Sequence, residues 1–403
     1  MSWKNVKIPD VVSYQEGPGV RNTQFRESGV KLLNVGNINN GDLNLSATKV
    51  FISEEEAFTK YRHFLVDDGD LLIASSGIVV SNFHNKITWA KEEHLPLCMN
   101  TSTIRFKSLN TQQLNIKYFS YYLQTRIFTD QLRKLITGSA QLNFGPSHLK
   151  QITLPLPDIK VQTRIAHILD KADALRKKDQ QLLQKYDDLA QAIFIDMFGD
   201  PVKNEKGWKL ISLGEVFSEG VKCGPFGSAL KRDEYIANGV PVWVMDNIVN
   251  FEFQEDRCLF IDKTKFRELN SYKVHNGDII ISRAGTVGKM CVVDSKHKQS
   301  IISTNLIKLS LDESRISSQY FVFLMKHFSR QVGRLKKGSE GSFTHMNTGV
   351  LTDLKLYLPP VDLQNKFVRM MGFLKVSKSV LSTSTELLFR SLIQQAFKGE
   401  LTA

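Results

Sequence analysis

The feature that most constrains this chain is an internal repeat that covers nearly all of its 403 residues. Gly69–Ile73 returns as Gly277–Ile281, and Leu156–Gln162 returns as Leu358–Gln364. Three further pairs follow in the same order: Trp3–Ile8 with Gly207–Leu213, Gly29–Ile38 with Gly239–Ile248, and Asn100–Ile104 with Ser303–Ile307. The offsets run from 202 (358 − 156) to 210 (239 − 29) residues, which is the size of a domain and too long for a solenoid unit. We therefore expect two similar globular domains in tandem.

Each repeat has the pattern of a mixed domain followed by a long helix. Short β-like runs, separated by Gly, Asn and Asp clusters, alternate with helical stretches, which predicts α+β domains. Strands are predicted at Lys31–Val35, Asp70–Ala74, Thr103–Phe106, Pro241–Met245, Asp278–Ser282 and Leu306–Ser310, and helices at Ile116–Leu135 and Ser317–Leu335. The predicted boundaries are residues 1–157 and 200–359 for the domains, and 158–199 and 360–403 for the long helices.

The two long helices are predicted to pair with each other. Gln162–Phe198 contains no Pro or Gly and carries apolar residues at heptad spacing. Gln364–Lys398 has large residues on one row and small residues on the other. We expect an antiparallel coiled coil of helices about 50 Å long, and hence a pseudo-two-fold internal repeat. The predicted helix–helix interface comprises Ile165, Ile168, Leu175, Leu182, Tyr186, Leu189, Phe367, Leu374, Leu381 and Leu388.

Two other arrangements of the helices remain open. Each helix could pack on its own domain, or the helices could recruit those of another protein. The second helix carries six basic residues and only Glu386 as an acid, a charge of +5. This charge predicts an acidic partner surface, so charge reversal at Lys375 and Lys378 is expected to weaken assembly; simple solvation of the charges is the alternative.

The overall charge favours a nucleic acid as the partner. Lys and Arg number 53 against 41 Asp and Glu, which gives a net charge of +12 and a pI near 9.3. Nucleic acid, a class that includes double-stranded DNA, is the first candidate among anionic partners. The longest apolar runs, such as Leu71–Ala74, are far short of the ~20 residues that a bilayer requires, and the N-terminus lacks the apolar stretch of a signal peptide. We expect a cytoplasmic protein without membrane contact.

The sequence lacks the usual motifs of catalysis and metal binding. Gly285–Lys289 resembles a phosphate-binding loop, but its spacing is too short and the hydroxyl residue is absent. No GxGxxG follows a predicted strand, and the nine histidines form no HExxH. None of the four cysteines, Cys98, Cys223, Cys258 and Cys291, lies within four residues of another, which favours isolated reduced thiols. We predict that the chain is not an enzyme and holds no cofactor or metal.

Polar, glycine-rich loops supply the candidate DNA contacts. Lys and Arg neutralise phosphates, and Arg, Asn, Gln and Ser hydrogen-bond to base edges. In the first repeat the candidates are Arg21, Asn22, Arg26, Ser75, Ser76, Asn82, His84, Lys86, Ser139, Gln141 and Asn143. In the second repeat they are Lys222, Phe226, Ser228, Lys231, Arg232, Arg283, Thr286, Lys289, Lys336, Lys337 and Ser339. An ordinary solvated loop is the alternative for any single residue, but as a set the loops favour DNA contact.

The order of these segments resembles the specificity subunit of type I restriction-modification systems. The resemblance covers the whole chain. It is carried by Gly277–Lys289, by Leu156–Gln162 with the long helix that follows it, and by Gln395–Leu401. Each motif is weak by itself, but their repeated order is specific. The first repeat departs from the pattern, because Ser75–Val80 lacks the second glycine and the lysine of Arg283–Lys289.

The resemblance implies a division of labour among several chains. Two target-recognition domains would each read one half of a split DNA site, and the departure just described implies that the two halves differ. The paired helices would separate the domains, set the spacing and dock two methyltransferase subunits, through which restriction subunits join. S-adenosylmethionine, ATP and magnesium would belong to those partner subunits.

Two other functions remain open on the residues alone. A self-contained methyltransferase or nuclease would need a cofactor or metal site that the motifs do not show. A coiled-coil scaffold or adaptor would bind DNA without reading it, and its binding would be salt-sensitive and indifferent to sequence.

Overall fold

A computed structural model describes residues 3–46, 48–78, 80–136, 143–226, 229–283, 288–333 and 347–401. The chain divides into two compact units, one formed by Met1–Gln181 with Leu381–Ala403 and the other by Leu182–Val380. The cut falls inside both long helices. Each unit therefore contains part of each helix.

The first unit holds two main sheets. Its strands are β1 (Lys4–Lys7), β2 (Val12–Glu16), β3 (Val30–Leu33), β4 (Ile38–Asn39), β5 (Asp42–Leu43), β6 (Phe51–Ile52), β7 (Leu71–Ala74), β8 (Ile87–Trp89), β9 (Leu97–Met99), β10 (Thr103–Ser108) and β11 (Thr153–Leu156). Its helices are α1 (Glu54–Phe58), α2 (Ile116–Tyr122), α3 (Arg126–Leu135), α4 (Pro146–Leu149) and the first part of α5 (Ile159–Phe198). An antiparallel sheet has the order β2-β10-β7-β8, and a mixed sheet has the order β6-β3-β9; β1 pairs with β11 and β4 with β5.

The second unit repeats this construction strand by strand. Its strands are β12 (Lys209–Ser212), β13 (Phe217–Cys223), β14 (Val240–Trp243), β15 (Ile248–Val249), β16 (Glu252–Phe253), β17 (Leu259–Ile261), β18 (Ile279–Ser282), β19 (Met290–Val292), β20 (Ile301–Ile302), β21 (Leu306–Leu311) and β22 (Lys355–Leu358). Its helices are α6 (Lys263–Glu268), α7 (Ser318–Gly333), α8 (Thr348–Thr352) and the first part of α9 (Val361–Lys398). The sheet orders are β13-β21-β18-β19 and β17-β14-β20, with β12 on β22 and β15 on β16. The predicted tandem α+β repeat is confirmed.

Two predicted helices differ in detail from the structure. The stretch predicted as one helix over 116–135 forms α2 and α3, because the Thr125 hydroxyl accepts a hydrogen bond from the Phe128 N–H at 3.2 Å and starts a new helix. The stretch predicted over 317–335 forms α7, which is interrupted by non-helical dihedrals at Phe328. These breaks depend on a local cap and on packing, which hydrophobic periodicity does not report.

The repeated Gly-Asp motif marks a charged pair in each four-stranded sheet. In the first unit Asp70, only 3% exposed, pairs with Arg105 of β10 at 3.3 Å. In the second unit Asp278 lies 3.9 Å from Lys308 of β21, at the corresponding position. Both aspartates also accept a hydrogen bond from a backbone N–H three residues earlier, at 2.8 Å. The motif therefore recurs because one carboxylate holds a turn beside a buried cation; in the second unit Glu219, at 2.9 Å, is the nearer partner of Lys308.

Each core is closed by the end of a long helix. In the first unit Phe397 of α9 lies against Tyr118 at 4.8 Å between ring centroids. In the second unit Phe198 of α5 lies against Tyr320 at 5.0 Å and Phe367 at 5.4 Å. In the first unit the start of α5 thus packs with the end of α9, and in the second unit the end of α5 packs with the start of α9. The helix pair within each unit is antiparallel, as predicted.

A buried glutamine fixes the start of each long helix to its domain. Gln162 and Gln364 are both fully buried. The Gln162 side chain accepts from the Asn115 N–H at 2.9 Å and donates to the carbonyls of Gln113 and Pro157, both at 2.8 Å. Gln364 accepts from the Ser317 N–H at 2.9 Å and donates to two carbonyls in the same way. In each unit this glutamine accepts one hydrogen bond and donates two, and these bonds connect the start of the long helix to its domain. We call this side chain the glutamine latch.

We expect Gln364→Ala to destabilise the second unit by about 2–4 kcal/mol, because a buried N–H and two carbonyls lose their partner. Hydrogen exchange of the full-length chain, resolved by peptide, measures the loss in each unit. The exposed Gln319 of α7, in the same unit, is the matched control, and Gln319→Ala should change stability by less than about 0.5 kcal/mol. Equal protection in the two variants would show that the latch is unimportant.

Candidate nucleic-acid interface

A common backbone scaffold lies at one end of the four-stranded sheet in each unit. In the second unit the Gly224 N–H donates to the Leu306 carbonyl at 2.9 Å, and the Arg283 N–H donates to the Asn305 carbonyl at 3.1 Å. In the first unit Gly17 donates to Thr103 at 2.9 Å and Ser75 donates to Ser102 at 2.8 Å. The same three segments thus meet in both units.

Glycine is required at this meeting point. A Cβ atom on Gly224 would lie 1.9 Å from the Ser303 carbonyl oxygen, and one on Gly17 would lie 2.3 Å from that of Asn100. Both positions begin a Gly-Pro pair, at Gly17-Pro18 and Gly224-Pro225. The sequence comparison missed this sixth repeated segment, although its offset of 207 (224 − 17) fits the other five.

In the first unit the scaffold carries a cluster of polar side chains. The Asn143 side-chain oxygen accepts from the Ser76 hydroxyl at 2.9 Å and from the Gly77 N–H at 2.7 Å. The Phe144 N–H donates to the Ser75 carbonyl at 2.9 Å, and Ser75 is buried. The structure therefore brings Ser75, Ser76 and Asn143 together, but the Asn143 oxygen is already engaged within the chain.

Other candidates of the first unit support the fold. Lys86 donates to the Ile38 carbonyl at 2.8 Å and to the Asn39 side chain at 2.5 Å, and burial lowers the pKa of its ammonium group. Burial also lowers the pKa of the half-buried His84, and nearby Arg390 adds to the effect. Arg26 donates to two carbonyls of its own loop, whereas Arg21, Asn22 and Asn82 are exposed.

In the second unit cationic side chains stack on aromatic rings. The Arg283 guanidinium carbon lies 4.6 Å from the ring centroid of Phe226, and the Lys222 ammonium lies 4.9 Å from that of Tyr272. Lys231, Arg232 and Lys289 are exposed. Tyr272 was not predicted, and its distance of fifty residues (272 − 222) from Lys222 gives no local signal. The candidates Ser139, Gln141, Ser228, Thr286, Lys336, Lys337 and Ser339 lie outside the described residues.

The structure corrects part of the predicted helix–helix interface. Ile165 and Phe367 are fully buried, and Ile168, Tyr186 and Leu374 are half-buried. Leu175, Leu182, Leu189 and Leu388 are instead 38–51% exposed. The side chain of Leu381 lies outside the described part of the chain.

The leucines are exposed because the buried row of each helix lies one residue further along the chain. Arg176 follows Leu175 and lies 3.4 Å from Glu386 of α9 in the first unit. Its guanidinium also lies 4.8 Å from the ring centroid of Phe389, the buried neighbour of Leu388. One residue turns a helix by about 100°, so a shift of one position moves a row from the buried face to an exposed one. Because the buried face carries charged residues such as Arg176, the heptad pattern of apolar residues did not identify this face.

The two lysines predicted to meet an acidic partner have partners within the second unit. Lys378 lies 2.6 Å from Asp187, and Lys375 lies 3.2 Å from Glu252. The prediction that these charges serve assembly is therefore weakened, because both are neutralised internally.

Two of the four thiols are buried. Burial raises the pKa of Cys98 and of Cys291 to about 12, which keeps both thiols protonated at neutral pH. Within the described ranges no three His, Cys, Asp or Glu side chains lie close enough to hold a metal ion. None of the helices described there has the length and apolar character needed to cross a membrane.

The family model and the curated relatives that match this chain point to the same family. The family model described as the type I restriction modification DNA specificity domain matches residues 1–185 and 205–374. The specificity subunit of the type I restriction enzyme MjaVIII from Methanocaldococcus jannaschii is 26% identical over 186 residues, 45% of this chain and 43% of that protein. The StySPI specificity subunit from Salmonella potsdam is 20% identical over 432 residues, 100% of this chain and 89% of that protein. The match to the first relative thus spans less than half of its length.

Solved structures have the same fold. A chain from a structural study of type I restriction-modification complex assembly matches 99% of this chain and 98% of its own length, with a TM-score of 0.55. The type I S subunit from M. genitalium matches 98% of this chain and 96% of its own length, with a TM-score of 0.51. Both are 14% identical, so they establish similarity of fold.

We expect Lys378→Glu to destabilise the second unit by about 1 kcal/mol, because it places a carboxylate against Asp187 in a half-exposed pair. The double variant Asp187→Lys with Lys378→Glu should recover most of this loss, as measured by chemical denaturation of the full-length chain. If the double variant is as unstable as the sum of the single variants, the pair does not couple the helices.

His327 should make the second unit sensitive to mild acid. Burial and the neighbouring Lys326 lower its pKa from 6.5 to about 4. Between these values the unfolded chain binds a proton that the folded chain does not, so stability falls as the pH falls below about 6.5. His327→Phe keeps the ring contact with Phe323, which is 4.4 Å between centroids. The melting temperature of this variant relative to the parent chain should rise from pH 7 to pH 5; an unchanged difference would contradict the assignment.

Proposed function

We propose that this chain, which belongs to the family of type I restriction-modification DNA specificity domains, reads DNA sequence for a restriction-modification complex and leaves the chemistry to partner subunits. The observation that carries the proposal is the double match of the family model, to residues 1–185 and 205–374. Each matched part contains one copy of the same sheets. Two copies of one reading module suit a DNA site that has two separate halves.

Each globular domain is proposed to read one half-site. We place the domains at residues 1–157 and 200–359 and the helices at 158–199 and 360–403, and the bounds of α5 and α9 support this division. The scaffolds are alike, but Ser75 in one copy corresponds to Arg283 in the other. Since side chains at base edges determine which bases are read, the two half-sites should differ in sequence.

The helices are proposed to dock two methyltransferase subunits. The first unit exposes Leu175 (49%) and Leu387 (63%) on its helix pair, and the second unit exposes Leu189 (46%) and Phe373 (77%). Exposed large apolar residues on a helix favour a protein partner. Because each unit has its own set, one methyltransferase subunit per unit is the simplest arrangement. Restriction subunits would join through these partners.

The cofactors of the complex are assigned to its other subunits. S-adenosylmethionine, ATP and magnesium would be bound by the methyltransferase and restriction subunits, and this chain would act in the cytoplasm, where it has access to cellular DNA.

Mapping of methylated adenines in the genome tests the proposal. Cells with this gene and its methyltransferase partner should carry a methylated motif made of two defined halves separated by unspecified bases. Deletion of this gene alone should abolish that motif and leave other methylation unchanged. A genome in which no bipartite motif depends on the gene would refute the proposal. Salt-sensitive binding of the complex to all DNA alike would instead indicate a scaffold that does not read sequence.

A further inference from the structure

We propose that Arg283, stacked on Phe226, reads a guanine in the half-site of the second domain. This inference rests on the proposed function and extends it to one side chain and one base. The two units have equivalent backbone and different side chains at the scaffold where their loops meet, and this is where two reading modules are expected to differ.

The two positions differ together between the units. Gly17-Pro18-Gly19 corresponds to Gly224-Pro225-Phe226, and Ser75 corresponds to Arg283. The backbone hydrogen bonds that place them are the same in both copies. The first domain thus has a glycine and a small buried serine where the second has a large ring and a guanidinium. The same backbone hydrogen bonds therefore carry different side chains in the two units.

Phe226 lies in an unusual environment for a large apolar side chain. It is 58% exposed, and it follows two buried residues, Gly224 and Pro225. Gly224 is anchored by its hydrogen bond to the Leu306 carbonyl, and the nearby Ser303 carbonyl leaves no room for a side chain there. A ring held above a fixed turn provides a flat surface on which a guanidinium can lie, and such stacking restricts the orientation of the arginine.

Part of the Arg283 guanidinium lacks a hydrogen-bond partner among the described residues. Its Nη1 atom is buried and has no hydrogen-bond partner among the described residues. By contrast, Arg105 of β10 in the first unit pairs with Asp70 and donates to the Gln15 side chain and to two backbone carbonyls. A buried donor without an acceptor is costly, and a shift of the half-buried side chain that brings this nitrogen to an acceptor of a ligand would remove that cost.

Guanine is the base that fits an oriented guanidinium. In the major groove it presents two acceptors, O6 and N7, at the spacing of the two donors of arginine, and this is the commonest specific contact between arginine and DNA. A phosphate could also accept from Arg283, but it would not require a fixed plane. The stacked geometry therefore favours a base edge over the backbone.

Methylome mapping with Arg283→Ala and Arg283→Lys tests the assignment. The alanine variant should make one G·C position degenerate in one half of the motif and leave the other half unchanged. The lysine variant, which keeps the charge but cannot stack and bond in the same plane, should also relax that position. Phe226→Ala should relax it partly, because the guanidinium loses its support.

A binding measurement on the purified complex isolates the contact. Replacement of the guanine at that position by 7-deazaguanine removes N7 and should weaken binding by the parent complex by roughly 5- to 150-fold. The Arg283→Ala complex should bind both oligonucleotides equally. Thermal unfolding and assembly with the methyltransferase serve as controls that the variants are folded.

The possible failures are distinguishable. If the parent chain specifies no bipartite motif, the proposed function is wrong. If the parent motif is present but both halves survive in Arg283→Ala, only the guanine assignment is wrong. A uniform loss of methylation in Arg283→Ala, restored by Arg283→Lys, would show that Arg283 contacts phosphate, and would also overturn the assignment.

Discussion

The structure of each unit depends on burial of one aromatic helix end. In the first unit Phe389, Ile393 and Phe397 of α9 are nearly fully buried, and in the second unit Phe194 and Phe198 of α5 are buried in the same manner. Full burial of a side chain of this size contributes roughly 1.5–3 kcal/mol. Each core is therefore completed by a helix that begins in the other repeat, and neither repeat closes its core with its own sequence alone.

The buried glutamines complete this arrangement at the opposite ends of the helices. Gln162 and Gln364 satisfy backbone groups of the loop before a domain helix, and they fix where each long helix leaves its domain. Apolar packing by itself does not select one register, whereas a polar group with three defined partners does. Burial of the aromatic side chains thus stabilises each unit, and the glutamines determine the register of each long helix on its domain. Together they hold each scaffold on which the candidate reading residues lie.

The duplicated scaffold explains how two domains of one chain can read different sequences. The Gly-Pro turn and the strand ends are held by backbone hydrogen bonds, so their side chains can change without loss of the fold. Ser76 and Asn143 form a polar cluster in the first unit, whereas Phe226 and Arg283 form a stacked pair in the second. Specificity can therefore diverge while the fold stays constant, as in other recognition folds whose loops are carried by a rigid core.

The sequence by itself determined the tandem repeat, the α+β class and the two long helices, because repeated motifs, alternating patterns and the lack of Pro and Gly are all local signals. It did not determine which face of each helix is buried. Arg176 and Asp187 occupy the inner face in ion pairs with α9, and the apolar row of Leu175, Leu182 and Leu189 lies outside. The sequence also did not predict that Phe226 lies beside Arg283. These residues are distant in the sequence, and they meet only because the segments that carry them form backbone hydrogen bonds with Leu306 and Asn305, respectively. Tertiary structure decided both, because contacts between distant segments depend on the register and on the partners of buried charges, which no local pattern records.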